Sequence, residues 1–239
     1  MVATQSPPYP VRLEGTLDEN LSRGLWLIKW LLAIPHIVVL AVLAVIGFVL
    51  TIVAFFAILF TKSYPRAIFD FNVGVMRWGW RVSFYAFALG TDRYPPFTFD
   101  DVPDYPARLE IDRPEELSRG LVLVKWWLLA IPQYIVVSLM TSGAVYTVTE
   151  ANGDVTSYQS GISLVGALAL IAGVSLLFTK RYPRGIFDFV MGINRWSFRV
   201  WAYAILMRDE YPPFRMDLGG TDPGSMAGGD STASPVESA

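Results

Sequence analysis

Residues 21–36 read LSRGLWLIKWLLAIPH, and residues 117–133 read LSRGLVLVKWWLLAIPQ. Further along, residues 60–71 read FTKSYPRAIFDF and residues 178–189 read FTKRYPRGIFDF, while YPPF stands at both 94–97 and 211–214. A unit of roughly a hundred residues said twice lets each half be tested against the other. Ser22, Arg23, Gly24, Lys29 and Trp30 correspond to Ser118, Arg119, Gly120, Lys125 and Trp126. Pro35 corresponds to Pro132 after a one-residue insertion, and Phe60 to Phe178. Between the last two anchors the second half carries about twenty extra residues, around the polar stretch VYTVTEANGDVTSYQSG at 145–161.

Outward from these anchors the chain is apolar. Of its 239 residues 53% are hydrophobic and 17% charged, with net charge -2, and the mean hydropathy is +0.42. No Asp, Glu, Lys or Arg occurs in residues 30–61, 126–149 or 155–179. Uncharged runs of this length read as membrane-spanning rather than as buried core helices. In half two the polar insert cuts the apolar run into two spans, 121–146 and 160–178, with an outer loop at 147–159. Half one, by analogy, is expected to fold 22–61 as a hairpin with a tight turn near Gly47. All 19 Lys and Arg lie outside 30–61 and 126–179. Two hairpins would put every basic residue on one side, which the positive-inside rule makes cytoplasmic, with both termini. The N-terminus has no basic region followed by a short apolar stretch and reads as no signal peptide.

A third apolar stretch follows each hairpin, at 67–89 and 185–207. On a helical wheel Asp70, Gly74, Arg77, Arg81 and Tyr85 share one face, and Asp188, Gly192, Arg195, Arg199 and Tyr203 repeat it. An Arg held at mid-membrane costs at least about 2.5–3.5 kcal/mol, so these stretches are read as amphipathic helices lying in the cytoplasmic interface. The competing reading has three spans per half and an inverted repeat of transporter kind. VRLEG at 11–15, ARLEI at 107–111 and PFTF at 96–99 read as short strands. The fold class expected is an all-α membrane protein of two tandem hairpins, four transmembrane helices in all, each hairpin followed by an interfacial helix. Its parts are a tail at 1–10, repeat 1 at 11–99, a linker at 100–106, repeat 2 at 107–217 and a disordered Gly/Ser-rich tail at 218–239.

The set LSRG-x4-KW, LAIP, TK-x-YPR-x-IFDF, RW-x2-RV-x2-Y and YPPF resembles a bacterial integral-membrane family of unknown function, in its two-copy form, over about residues 9–216. The resemblance implies a bacterial plasma-membrane location and brings no activity or catalytic residue with it. Two departures between the halves stand out: Ala67 where half two has Gly185, and the loop at 145–161.

Two sets of residues carry the functional expectations. Lys62, Arg66, Lys180, Arg181 and Arg184 stand where helices would leave the membrane. They set topology and are candidates for anionic lipid headgroups, with Arg77, Arg81, Arg195 and Arg199 adding to the same surface. Asp70 and Asp188 interrupt FDF triplets and need partners: Arg66 and Arg184, or Arg77 and Arg195. A structural salt bridge fixing the interfacial helix to the hairpin is preferred over an acid/base role, because a carboxyl beside paired Arg has a lowered pKa. The eight Trp read as an aromatic belt. His36, replaced by Gln133 in half two, reads as an interfacial polar residue. Small residues three or four apart (Ala44, Gly47, Thr51 and Ala54; Ser138 and Ser142; Ala169 and Gly173) read as helix-packing or self-association faces. The chain has no cysteine and one histidine, and no phosphate loop, metal cluster or nucleophile elbow is legible, so no cofactor or metal is expected. The partners expected are the lipid bilayer, another membrane protein or a second copy, and not nucleic acid. The function read from this is a non-catalytic accessory or scaffold protein; the alternatives are a transporter or channel component, and a lipid-modifying enzyme using Asp70 or Asp188.

Overall fold

A computed structural model describes residues 9–142, 145–149, 155–159 and 161–225, without side chains in the two short middle stretches. The chain is mostly helical. Strand β1 (Val11–Gly15) leads into α1 (Trp26–Leu32), α2 (Ile34–Thr61) and α3 (Arg66–Ala86). Strand β2 (Ala107–Ile111) leads into α4 (Arg119–Val124), a π-helical turn at Lys125–Leu129 and α5 (Ile131–Thr141). A hairpin of β3 (Val145–Thr149) and β4 (Val155–Gln159) precedes α6 (Leu164–Thr179) and α7 (Arg184–Ala204).

The hairpin expected at 22–61 does not form. Residues 34–61 are one 28-residue helix with no turn at Gly47, about 42 Å long at 1.5 Å per residue. Between Pro35 and Lys62 the sequence holds no breaker except that glycine. Gly47 is there for close approach: a Cβ would stand 2.9 Å from Asn72 Oδ1 of α3. The inference from the insert runs the other way. With Pro35 matched to Pro132 and Phe60 to Phe178, α5 (11 residues) and α6 (16 residues) together correspond to α2. The β3–β4 ribbon pairs Val145 with Gln159 at its open end, so the insert returns the chain to where it left. It divides a helix; it does not reveal a hidden turn. Four transmembrane helices are therefore not supported: among the described residues α2 is long and apolar enough to cross a membrane, and Arg119–Leu129 with Ile131–Thr141 would pass only as one pair bent by 41°.

Pro35 and Pro132 sit in the first turn of α2 and α5, where a missing N–H costs nothing. The extra residue of half two, in KWWLLAIP against KWLLAIP, is absorbed as the π-helical turn, the usual accommodation of one residue inserted in a helix.

The strands expected at 11–15 and 107–111 form and pair antiparallel with each other, Leu13 opposite Leu109. No strand forms at 96–99. The β1–β2 ribbon packs its buried side chains (Val11, Leu13, Ala107, Leu109) on α3 and α7. On its other side α3 packs along α2. A stripe of α2 at spacings of three and four (His36, Leu40, Leu43, Gly47, Thr51, Ala54, Ile58) is turned inward, and most of the remaining surface of α2 is exposed. Both long amphipathic helices are thus enclosed between ribbon and apolar helices; they do not lie with a free polar face at an interface. Trp80, Phe84, Phe187 and Phe198 join the two halves in the core.

The tail expected to be disordered from residue 218 is ordered as far as Ser225, with Asp222 buried against β1. The remaining tail and the tip of the polar insert, residues 150–154, lie outside the described residues.

Candidate functional site

Buried charge organises the body, and corresponding residues of the two halves make corresponding bonds. Lys29 is 1% exposed and Lys125 fully buried. Lys29 Nζ pairs with Asp92 at 2.7 Å and donates to the Thr91 carbonyl; Lys125 Nζ pairs with Asp209 at 2.7 Å and donates to the Arg208 carbonyl. Tyr85 and Tyr203 lie under the two ammonium groups at 5.1 and 5.6 Å. The backbone N–H of Ser22 bonds Asp92 and that of Ser118 bonds Asp209. Burial alone would raise the Asp92 carboxyl; the bonds from Lys29 and Ser22 outweigh it and hold the group below the usual carboxylate range. Each Lys of the KW motif thus clamps the loop after α3 or α7 to the helix before the Pro.

The same correspondence runs through the Trp and Tyr residues. Trp78 donates to His36 Nδ1 at 3.0 Å, and Trp196 to Gln133 Oε1 at 2.7 Å. The His/Gln exchange conserves an acceptor for an indole, and His36 is buried rather than interfacial. Tyr64 reaches across to the Ile205 carbonyl and Tyr182 to the Ala88 carbonyl, so the Tyr of each YPR segment ties its half to the other. Trp78, Trp80 and Trp196 belong to the core, Trp26 is half-buried, and Trp30, Trp126, Trp127 and Trp201 are exposed.

The expected stripe separates. Arg81, Arg195 and Arg199 are buried, and they bond the ribbon and the loops beyond α3 and α7 rather than facing headgroups. Arg77 Nε donates to the Leu109 carbonyl at 2.9 Å and Arg195 Nε to the Leu13 carbonyl at 3.0 Å. Arg199 meets the carboxylates of Asp217 (2.6 Å) and Asp222 (3.1 Å). Among the described residues Arg81 bonds the carbonyls of Thr98 and Asp100 and no carboxylate. Burial pushes both Arg81 and Arg195 below the usual guanidinium range, with Asp222 opposing the effect at Arg195. Asp70 is exposed and pairs at 3.7 Å with Arg66 of its own helix, so it fixes that helix to nothing. Among the described residues Asp188 has no ion pair.

The five candidate headgroup residues, Lys62, Arg66, Lys180, Arg181 and Arg184, are all exposed. Lys62 makes a loose pair with Glu116 at 3.7 Å. Lys62 and Lys180 end α2 and α6 in the left-handed conformation, at φ of 59° and 57°. Their backbone N–H groups close the last turns on Ile58 and Leu176. The small-residue faces point inward where they are best defined: Gly47 packs on Asn72 and Gly173 on Trp26. The sequence pattern alone assigns no role to Lys29, Lys125, Asp92 or Asp209. The signal was available: two lysines in the same place within apolar runs, each with an Asp at one distance before YPPF.

These features define a helical protein with one strongly apolar helix, in which each of two corresponding halves carries its own buried ion pair and the two meet around a short ribbon. The chain belongs to the family described as Domain of unknown function (DUF4389), which matches residues 23–98 and 157–215, more than half of its length. No curated protein and no solved structure matches it.

Proposed function

We propose that the protein is a non-catalytic membrane scaffold embedded from one side of the plasma membrane. Its apolar helices touch acyl chains, its basic helix ends touch anionic headgroups, and its ribbon body stands in water. The observation that carries this is the outer surface of α2. Residues such as Val38, Val42, Val45, Phe48, Val53 and Phe60 are exposed in the isolated chain. A continuous exposed apolar surface of this size is a membrane or partner surface, not a water-facing one.

Length alone would let α2 cross. Charge argues for the one-sided placement. Arg23 and Lys29 precede α2, while Lys62 and Arg66 follow it. A crossing would set basic residues on both sides, against the positive-inside rule; a helix immersed in one leaflet keeps all of them on one side. The ribbon's outward side chains, among them Arg12, Glu14, Arg108 and Glu110, also need water along the flank of α3. One leaflet of hydrocarbon is roughly 15 Å deep, half the core thickness, enough for a helix about 10 Å across.

The cysteine-free chain allows a direct test. Single Cys substitutions at Ser63 and Thr98, near opposite ends of α2, are labelled with an impermeant thiol reagent in intact cells and in inverted vesicles. The expected outcome is labelling of both from the cytoplasmic side alone. Labelling of the two from opposite sides would establish a crossing and sink the one-sided reading.

A further inference from the structure

The two edges of the β1–β2 ribbon are finished differently. Hydrogen-bonded pairs alternate along an antiparallel ladder. Asp112 N–H bonds the Pro10 carbonyl and Thr16 N–H the Pro106 carbonyl, so Leu13, Gly15, Leu109 and Ile111 turn their N–H groups outward. On β1 the chain's own segment 219–222 covers that edge. Gly15 N–H donates to the Gly220 carbonyl at 2.9 Å, and Leu13 N–H to Asp222 Oδ2 at 3.2 Å. The Asp222 carboxylate also meets Arg195 Nε at 3.0 Å and Arg199 at 3.1 Å. The Arg195 guanidinium holds the Gly219 carbonyl at 3.0 Å.

On β2 the corresponding groups wait. Among the described residues the N–H groups of Leu109 and Ile111 have no partner. Arg77 and Arg81, which correspond to Arg195 and Arg199, make no ion pair there, and the buried Nε of Arg81 has no acceptor. Residues 102–105 cannot cover this edge as 219–222 cover the other, because they turn (Tyr105 N–H to the Val102 carbonyl) and enter β2 itself. An open cleft of about 780 Å³ lies beside the edge, lined by Phe69, Asp70, Arg77, Phe99, Ile111 and Arg113. Phe69, Asp70 and Arg77 correspond to Phe187, Asp188 and Arg195, and the seated segment passes those three. Arg66 and the carboxylates of Asp100 and Asp101 also line the cleft. Asp70 is paired with Arg66 and Asp101 with Arg108; among the described residues this leaves two guanidinium groups of the wall, Arg77 and Arg113, and one carboxylate, Asp100, without an ion pair, a net positive balance.

We propose that the outer edge of β2 takes an extended acidic peptide segment of a partner protein, seated as residues 219–222 sit on β1. The partner adds a strand. A backbone carbonyl accepts from Ile111 N–H. Two residues on, a carboxylate accepts from Leu109 N–H and faces Arg77 and Arg81. A glycine stands at the carbonyl position, because a Cβ on Gly220 would collide with the Gly15 carbonyl oxygen of the strand it lies on.

The test uses the full chain in detergent micelles and a fluorescent octapeptide, Asp-Leu-Gly-Gly-Thr-Asp-Pro-Gly, copied from residues 217–224. Micelles keep it separate from the membrane question: failure here leaves the one-sided reading standing, and the reverse holds. Saturable binding is expected, weakened about tenfold or more when the second Asp of the peptide becomes Asn, the scale of one lost charge-assisted bond. Replacing the second Gly by Val abolishes it. The R77Q chain binds about tenfold more weakly for the same reason. If that variant fails to fold, slowed hydrogen exchange at Leu109 and Ile111 in the wild-type chain on peptide addition reads the same edge. No binding, or binding by R77Q equal to wild type, overturns the proposal; the latter shows the peptide displacing the tail from β1. Full competition by inorganic phosphate, with indifference to the Gly→Val change, overturns it in favour of a small-anion site. A mass doubling of the chain abolished by D222N overturns it in favour of a second copy.

Discussion

Lys29 and Lys125 show how a charge can be structural inside an apolar protein. Breaking a buried ion pair from one side leaves the other charge uncompensated, at a cost of about 3–5 kcal/mol. D92A is therefore expected to lower unfolding stability in micelles by about that amount, and D209A likewise. The pH dependence has a definite sign. The folded Asp92 carboxyl lies below its unfolded value of about 3.9. The stability it contributes is complete above that value and is lost as pH falls through the lower folded one. Melting curves from about pH 7 to pH 3 should fall less steeply at the acid end for D92N than for wild type; equal slopes would remove Asp92 from the account. None of this is legible in the sequence, where Asp70 and Asp188 stand out because they interrupt apolar triplets. Pattern gives the angle of a side chain on its own helix. It does not give the loop 62 residues away whose carbonyl the Lys29 ammonium meets.

At the scale of the element, what could be read was local periodicity. The strands at 11–15 and 107–111, and helices close to 67–89 and 185–207, follow from alternation and from a 3.6-residue stripe. Strand pairing across nearly a hundred residues, and the enclosure of α3 between α2 and the ribbon, depend on contacts that periodicity does not encode. Gly47 is the instructive case. A glycine in the middle of forty apolar residues looks like a turn, yet the same residue suits a helix that must approach a neighbour closely. The two roles predict different mutants. In a left-handed turn, Gly47→Ala would be destabilising whatever its surroundings. In α2 as found, the added Cβ meets only Asn72 Oδ1 at 2.9 Å and Phe71 at 3.8 Å. G47A alone should destabilise. In an N72A background the same change should stabilise by up to about 1 kcal/mol, the helix-propensity gain of Ala over Gly. A double-mutant cycle in micelles reads the coupling, and a G47A cost that survives N72A would restore the turn.

For the whole molecule, keeping the basic residues on one side does not require two hairpins. Two hairpins would have put every basic residue on one side; so does a body immersed in one leaflet through α1, α2, α5 and α6. With that proposed placement, the proposed headgroup contact falls to the cations that the fold leaves exposed. Arg81, Arg195 and Arg199 are committed to carbonyls and carboxylates within the body. Lys62, Arg66, Lys180, Arg181 and Arg184 remain, clustered at the ends of α2 and α6 and the starts of α3 and α7. Replacing all five by Gln should weaken association with vesicles containing phosphatidylglycerol by up to about 1 kcal/mol per charge, the scale of a basic residue near an anionic surface. Association with phosphatidylcholine vesicles should be unchanged, because the apolar surface of α2 is untouched. Added salt should narrow the gap between the two lipids for wild type and leave the variant unaffected, since screening acts only on the charge component. A variant that loses both lipids equally would show that these residues hold the fold rather than the headgroups. One that loses neither would place the electrostatic contact elsewhere, with the exposed Arg23 and Arg119 at the starts of α1 and α4 the next to be changed.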